Sequence, residues 1–345
     1  MRPKQVLSFD DILLVPKSSN IRTRDEVSLN STIGNVNFTM PIISSPMDTV
    51  TESNMMITMA RHGGLGILHR YKSAEEQIRI LHETRDILEL ESNVFAGKLS
   101  AAIGASKDSV KRAEDLIEAG ARLICVDVAH GHHVLVERTI KSLRDKHADS
   151  IAIIAGNVAT AEGYSDLSEW GADAVRIGIG GGSICSTRIQ TGHGVPTFQS
   201  VYDCRDTPGA AIIADGGIKT SGDIVKALAA GADFVMLGSM LAGTDESPGE
   251  VLSGKADKKY KVYRGMASVE AQVAWRGQAR SLEGISTTIP YKGSVNNIIA
   301  NLVKNIKSGL SYSGARSISE MQSVADFIQQ SSAGQLESST HILSR

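Results

Sequence analysis

Eight short runs rich in β-branched and small apolar residues recur along this chain, each ending in small, polar or glycine residues. They are MPIISSPM from Met40, GGLGILH from Gly63, SAAIGA from Ser100, LICVDVAHG from Leu123, IAIIAGNVAT from Ile151, AVRIGIGGG from Ala174, AIIADGGI from Ala211 and DFVMLGSMLAG from Asp233. Between most of them lie stretches with helical spacing, such as SVKRAEDLIEAGA and SGDIVKALAAGA. Near-continuous apolar character suits strands buried on both faces, and so a parallel sheet covered by helices. Eight such alternations predict a single (β/α)8 TIM barrel, α/β in class, which the 345 residues readily accommodate. A doubly wound open sheet is the alternative, and both the count of eight and the absence of a GxGxxG opening disfavour it.

The flanks carry expectations of their own. Residues 1–35 precede the first strand and are expected to cover the barrel's lower mouth. Residues 251–294 form a polar segment after strand eight, too long for an ordinary βα connection, and read as a lid. An amphipathic helix, NNIIANLVKNIKSGL, follows. Residues 316–345 are polar and read as a mobile tail or one donated to a neighbouring subunit.

A formal charge of −2 with acids and bases mixed leaves no basic stripe for nucleic acid. No apolar stretch is long enough to span a bilayer, and the N-terminus meets Asp10 and Asp11 before a signal-peptide core could form. Cys125, Cys185 and Cys204 are too widely and irregularly spaced for a disulfide framework or a zinc site, so a reducing cytoplasm is the expected home.

In a TIM barrel the site lies at the C-terminal ends of the strands, with phosphate often held after strands seven and eight. Those ends here are Asp215-Gly216-Gly217 and Gly238-Ser239. Glycines let main-chain N–H groups approach phosphate oxygens, and Asp215 stands where a carboxylate can accept ribose hydroxyls. The sixth run ends in GIGGGSICSTR from Gly178, an irregular loop with exposed carbonyls that could also ligate a monovalent cation. Cys185, in that loop and near Arg188, reads as a nucleophile with lowered pKa. Cys125 and Cys204 read as buried and inert. His130, His132 and His133 lack a supporting carboxylate set for metal and read as polar lining. Asp127 and Asn157, ending strands four and five, read as partners for a second ligand.

From about residue 5 to 330 the chain resembles the IMP dehydrogenase/GMP reductase family, through SFDDILLVP, SPMDTVTE, GGLGILHR, AGNVAT, GIGGGSICSTR, IADGGI, GSMLAG, YRGM and PYKGS, in that order. The resemblance implies a TIM barrel that binds a purine nucleoside monophosphate and a nicotinamide dinucleotide, usually as a homotetramer. It implies that Cys185 bonds to carbon 2 of the purine and that Thr187 helps protonate or orient the leaving group. Ser183, Gly216, Gly217, Gly238, Ser239 and Tyr263 would hold phosphate, and Asp215 the ribose. Ser45, Met47, Gly265 and Met266, with Ser268 and Arg280, would complete the nucleotide pocket. Asp127, Ala129, His130, Asn157 and Arg176 would serve the cofactor, and the carbonyls of Gly180, Gly182 and Cys185 a potassium ion.

Within the family the two branches differ in one chemical step. The dehydrogenase hydrolyses a covalent intermediate with a flap carrying an Arg-Tyr pair, whereas the reductase needs a proton donor for departing ammonia and no hydrolytic water. Only sixteen residues lie between Met266 and Glu283, and they contain no Arg-Tyr dipeptide. The segment resembles the reductase pattern, with Arg280 and Glu283 as its Arg-x-x-Glu-Gly, and Glu283 would act with Thr187 in proton transfer. Pro46, Gly181, Ser186 and Ala267 depart from the usual reductase residues. The expected activity is an NADPH-dependent GMP reductase; the alternative is an IMP dehydrogenase without the regulatory insertion. A flavin-binding barrel and a non-catalytic nucleotide-binding module are the readings from other classes.

Overall fold

Period-two alternation puts every second residue of a strand on one face, and in this molecule it sorts the strand residues into a barrel interior and a helix-facing exterior. The computed structural model describes residues 3–90, 97–280, 282–338 and 340. The barrel strands are β1 (Ile42–Ser44), β2 (Leu65–Gly66), β3 (Ser100–Ile103), β4 (Leu123–Asp127), β5 (Ala152–Val158), β6 (Ala174–Ile177), β7 (Ala211–Asp215) and β8 (Phe234–Leu237). Each falls inside one of the eight runs. They pair in parallel in the order β2-β1-β8-β7-β6-β5-β4-β3. The ring closes through Leu68, whose N–H donates to the Ser100 carbonyl at 3.1 Å and whose carbonyl accepts the Ala102 N–H at 2.7 Å. The fold is the expected (β/α)8 barrel.

Ile43, Leu65, Ala102, Leu123, Cys125, Ile154, Ala174, Ile213 and Phe234 belong to a buried cluster inside the ring. Its floor is a hairpin, Ser31–Ile33 with Val36–Phe38, which adds Ile33 and Phe38 to the same cluster. Phe38 meets Phe234 edge to face, with ring centroids 5.3 Å apart. This hairpin, straddling the end of the 1–35 segment, is the cover at the lower mouth. The start of that segment does the opposite of what was expected. Ser8, Phe9 and Asp10 line the cavity at the upper mouth, where the Lys219 ammonium reaches Asp10 at 2.7 Å and Phe9 packs against Phe198.

The segment after β8 is an ordered three-stranded antiparallel sheet, Leu252–Ser253, Lys259–Arg264 and Ser286–Pro290, with the helix Val269–Arg276 between its last two strands. The amphipathic helix is Val295–Tyr312, and it buries Val295, Ile299, Leu302, Ile306 and Leu310, spaced three or four apart.

The tail expectation for 316–345 needs correcting. The helix Ile318–Val324 buries Ile318 and Met321, and the strand Phe327–Gln329 pairs antiparallel with Ile12–Leu14 of the same chain. A few apolar residues at docking positions, Ile318, Met321 and Phe327, outweigh the polar composition around them. The helix Ser332–Glu337 follows with no buried residue, and residues 339 and 341–345 lie outside the described ones. Among the described residues no helix is long and apolar enough to cross a membrane.

Phe38→Ala empties the floor of the barrel and is expected to destabilise the protein by about 3–5 kcal/mol. A denaturation midpoint in urea that stays at the wild-type value would contradict the role given to the hairpin.

Candidate active site

The alternation that fills the barrel with apolar side chains continues one step further to a polar layer at its top. On the faces that carry Cys125, Ala174 and Ile213 come Asp127, Arg176 and Asp215. Arg176 is 6% exposed and bridges the two carboxylates, at 2.5 Å to Asp127 and 2.9 Å to Oδ2 of Asp215. Arg70 adds a second ion pair to Asp127 at 3.2 Å. Burial pushes the Asp127 carboxyl up, but the Arg176 and Arg70 charges outweigh it and hold the group below the usual carboxylate value. The Asn157 amide also donates to Oδ2 of Asp215, at 2.9 Å, and to the Gly178 carbonyl at 2.8 Å. Three nitrogen atoms from two side chains, Arg176 and Asn157, thus converge on one oxygen of Asp215 and leave Oδ1 for another acceptor role.

Beside this layer, glycine turns after β6, β7 and β8 come together. A Cβ at Gly178 would lie 1.9 Å from the Asp215 carbonyl, and one at Gly238 would lie 3.0 Å from the Tyr263 hydroxyl. Gly216 and Gly217 hold φ of 90° and 77°, in the left-handed region that glycine tolerates best. The Ser183 and Tyr263 hydroxyls face each other at 3.5 Å across this corner. Backbone N–H groups and hydroxyls gathered on glycine loops are of the kind that can hold an anion such as phosphate.

The cysteine loop meets the lid at the same mouth. Cys185 is half-buried, and its thiol donates to the Thr187 hydroxyl at 3.2 Å. Thr187 in turn donates to the Glu283 carboxylate at 2.9 Å. The three form one relay from sulfur to carboxylate. The main chains of the two segments also pair: Cys185 bridges Gly284 antiparallel, and the Ile285 N–H donates to the Ile184 carbonyl at 3.1 Å. Cys125 and Cys204, by contrast, are buried, and burial pushes each thiol up to about 12, as their reading as inert requires.

These groups surround one cavity of about 610 Å³, within the range of small-molecule sites. Its wall includes Cys185, Thr187, Glu283, Ser45, Met47, Ser183, Asp215, Gly216, Gly217, Gly238, Ser239, Tyr263, Gly265 and Met266. Asp127, Ala129, Asn157, Arg176, Gly180 and Gly182 line it as well. Three of the expected substrate and cofactor residues do not. Ser268 is fully buried and caps the helix Val269–Arg276, accepting the Ala271 N–H. Arg280 and His130 are exposed and off the wall; Arg280 follows the left-handed Gly277 that ends the helix. Among the described residues no group of three or more histidine, cysteine or acidic side chains is placed to hold a metal.

The wall also contains residues that the motifs had not singled out. Tyr71 and Trp275 stack with centroids 4.2 Å apart, the Tyr71 hydroxyl donates to the Met266 carbonyl at 2.5 Å, and Arg70 lies 5.2 Å from the Tyr71 ring. The signal for Arg70 and Tyr71 was available, since both directly follow the second run, at a strand's C-terminal end.

Residues 6–341 match the model of the IMP dehydrogenase / GMP reductase domain. The chain belongs to the IMP dehydrogenase/GMP reductase family. It is therefore a member of an oxidoreductase family that acts on purine nucleotides. Its relatives include both kinds of enzyme. An inosine-5′-monophosphate dehydrogenase of Cryptosporidium parvum is 39% identical, covering 97% of this chain and 94% of the relative. A GMP reductase of Leishmania major is 34% identical, covering 98% and 97%. A crystal structure of GMP reductase from Trypanosoma brucei in complex with guanosine 5′-monophosphate superimposes with a TM-score of 0.92 at 33% identity, covering 98% of each chain. The Leishmania alignment runs over 479 positions, so that family member carries segments this shorter chain lacks.

With burial pushing their thiols up to about 12, Cys125 and Cys204 stay protonated at pH 8. Iodoacetamide at that pH is expected to label Cys185 alone in the folded family member, and all three cysteines after unfolding. Peptide mass spectrometry reads the result, and early label on Cys125 would contradict the assignment.

Proposed function

We propose that this chain is an NADPH-dependent GMP reductase, converting GMP to IMP and ammonia through a covalent bond to Cys185. The observation that carries the proposal is the Cys185–Thr187–Glu283 relay, with its carboxylate supplied by a lid segment that has no Arg-Tyr pair. A glutamate behind a threonine hydroxyl suits delivery of a proton to departing ammonia.

In this reading the phosphate rests on the N–H groups of Gly216, Gly217, Gly238 and Ser239, with the Ser183 and Tyr263 hydroxyls. Oδ1 of Asp215 accepts from the ribose hydroxyls, because Arg176 and Asn157 occupy its other oxygen. Met47 and Met266 flank the base and direct carbon 2 toward Cys185. The Cys185 thiol passes its proton into the relay, sulfur bonds to carbon 2, and the carbon–nitrogen bond breaks as Thr187 and Glu283 protonate the leaving amine. A reduced nicotinamide dinucleotide, held beside Asp127, Ala129, Asn157 and Arg176, would supply the hydride for carbon 2. The carbon–sulfur bond breaks, IMP leaves, and the thiolate is regenerated.

The donor set fits such a cofactor. Asp127, Ala129, Asn157 and Arg176 flank the purine site, and the flat Tyr71–Trp275 stack with Arg70, Arg188 and Arg276 gives the adjoining wall planar surface and positive charge. Carbonyls of Gly180, Gly182 and Cys185 are hard oxygen donors of the kind a potassium ion takes. The same reading includes a homotetramer working in the cytoplasm, and the exposed apolar residues Val269 and Val273 of the lid helix are in keeping with contacts to a neighbouring copy.

One feature favours the dehydrogenase alternative. The Ser45-Pro46-Met47-Asp48 turn follows that branch's pattern, and it is locked to the lid by a two-pronged Arg264–Asp48 pair at 2.9 and 2.6 Å.

Purified protein given GMP and NADPH is expected to consume the reduced-nicotinamide absorbance and release ammonia, while IMP with NAD gives none. The reverse pattern would replace the proposal with the dehydrogenase. Cys185→Ala is expected to bind GMP without turnover, and Glu283→Gln to lower kcat by about 10²–10⁴-fold with KM for GMP little changed.

A further inference from the structure

Glu283 can serve the relay only if the lid segment is held in register over the cysteine loop. Apolar packing does little of that holding. Leu282 is 60% exposed and Ile285 is 50% exposed, so the residues on either side of Glu283–Gly284 leave much of their side chains in water. Gly284 has no side chain, and a Cβ there would lie 2.8 Å from the Ser268 nitrogen. What joins the two segments is a short polar ribbon. Ser186 supplies two of its bonds, through its N–H to the Glu283 carbonyl at 3.0 Å and its hydroxyl to the Leu282 carbonyl at 3.0 Å. Ser186 is 7% exposed and absent from the cavity wall.

We propose that the Ser186 hydroxyl is a clasp that registers the lid on the cysteine loop and so sets the Thr187–Glu283 hydrogen bond. Ser186 is a positioning residue, and it acts through Glu283. The backbone bond from its N–H fixes the approach of the two segments and survives removal of the hydroxyl. The hydroxyl bond is the side-chain contribution, and it grips the residue immediately before the glutamate. Its loss lets residues 282–283 move out toward solvent, because neither neighbour is anchored by burial. A shift of even an ångström at a proton-transfer group lowers rate steeply while leaving the phosphate and ribose contacts intact. The inference rests on the reading that Glu283 and Thr187 handle the proton in turnover; the ribbon itself does not depend on which purine is the substrate.

The experiment compares Ser186→Ala, Ser186→Thr, Glu283→Gln and the double variant Ser186→Ala/Glu283→Gln. Ser186→Ala is expected to lower kcat about tenfold, the scale of one lost hydrogen bond, with KM for GMP within twofold of wild type. Ser186→Thr keeps the hydroxyl and is expected to restore kcat to within about threefold. The double variant is expected to be no slower than Glu283→Gln alone, because the clasp has nothing left to position. A further tenfold loss in the double variant, or an unchanged kcat in Ser186→Ala, overturns the proposal. Alkylation of Cys185 by iodoacetamide reads the ribbon without turnover: Ser186→Ala is expected to speed it severalfold and Ser186→Thr to leave it at the wild-type rate. A wild-type enzyme inactive toward GMP with NADPH, together with faster alkylation in Ser186→Ala, would remove the reductase reading and keep the clasp; unchanged alkylation would remove the clasp.

Discussion

A guanidinium enclosed near the top of a barrel is tolerable only with carboxylates on both sides, and Arg176 has them in Asp127 and Asp215. Burial disfavours its charge, and the two carboxylates more than restore it. Taking away one partner of such a buried set typically costs about 3–5 kcal/mol, because a charge is left without compensation. The ends of β4, β6 and β7 are therefore fixed relative to one another before any ligand arrives. Asp215 presents one oxygen already occupied and one available, and Asp127 is held charged by two arginines. Preorganisation of this kind lets a site bind without first rearranging.

The lid adds the complementary part. The barrel supplies glycine loops and the cysteine, but among the described residues the carboxylate joined to the Cys185–Thr187 pair comes from residue 283, almost a hundred residues further along the chain. Lid and barrel touch through main-chain pairing, through the Arg264–Asp48 ion pair and through the Tyr71 hydroxyl on the Met266 carbonyl. Beside the Tyr71–Trp275 stack, these are polar, directional contacts, suited to a segment that has to be placed accurately.

The barrel was legible in the sequence because its strands are buried on both faces, so eight apolar runs survive without any tertiary information. The cysteine loop was legible for a related reason: consecutive glycines after a buried strand have few structural uses. Glu283 was reached through family resemblance, since its partnership with Thr187 is made only by chain segments distant in sequence. The Tyr71–Trp275 stack escaped notice because nothing local distinguishes two aromatic residues 204 positions apart that become neighbours. Arg280 and Ser268 matched the pattern by position yet lie off the wall, one turned outward past a helix-ending glycine and one consumed as a helix cap. The tail misled because composition averages over the three apolar residues that dock it.

The pairing of Ile12–Leu14 with Phe327–Gln329 bears on the order in which this molecule is made. During synthesis the early strand emerges long before its mate, and Ser8–Asp10, directly upstream, form part of the cavity wall. Until residue 329 has emerged that edge has no partner, although Asp10 and Phe9 already have theirs in Lys219 and Phe198. The eight-stranded ring ends at Leu237, so a nascent chain holds every barrel strand well before this flanking pair can form.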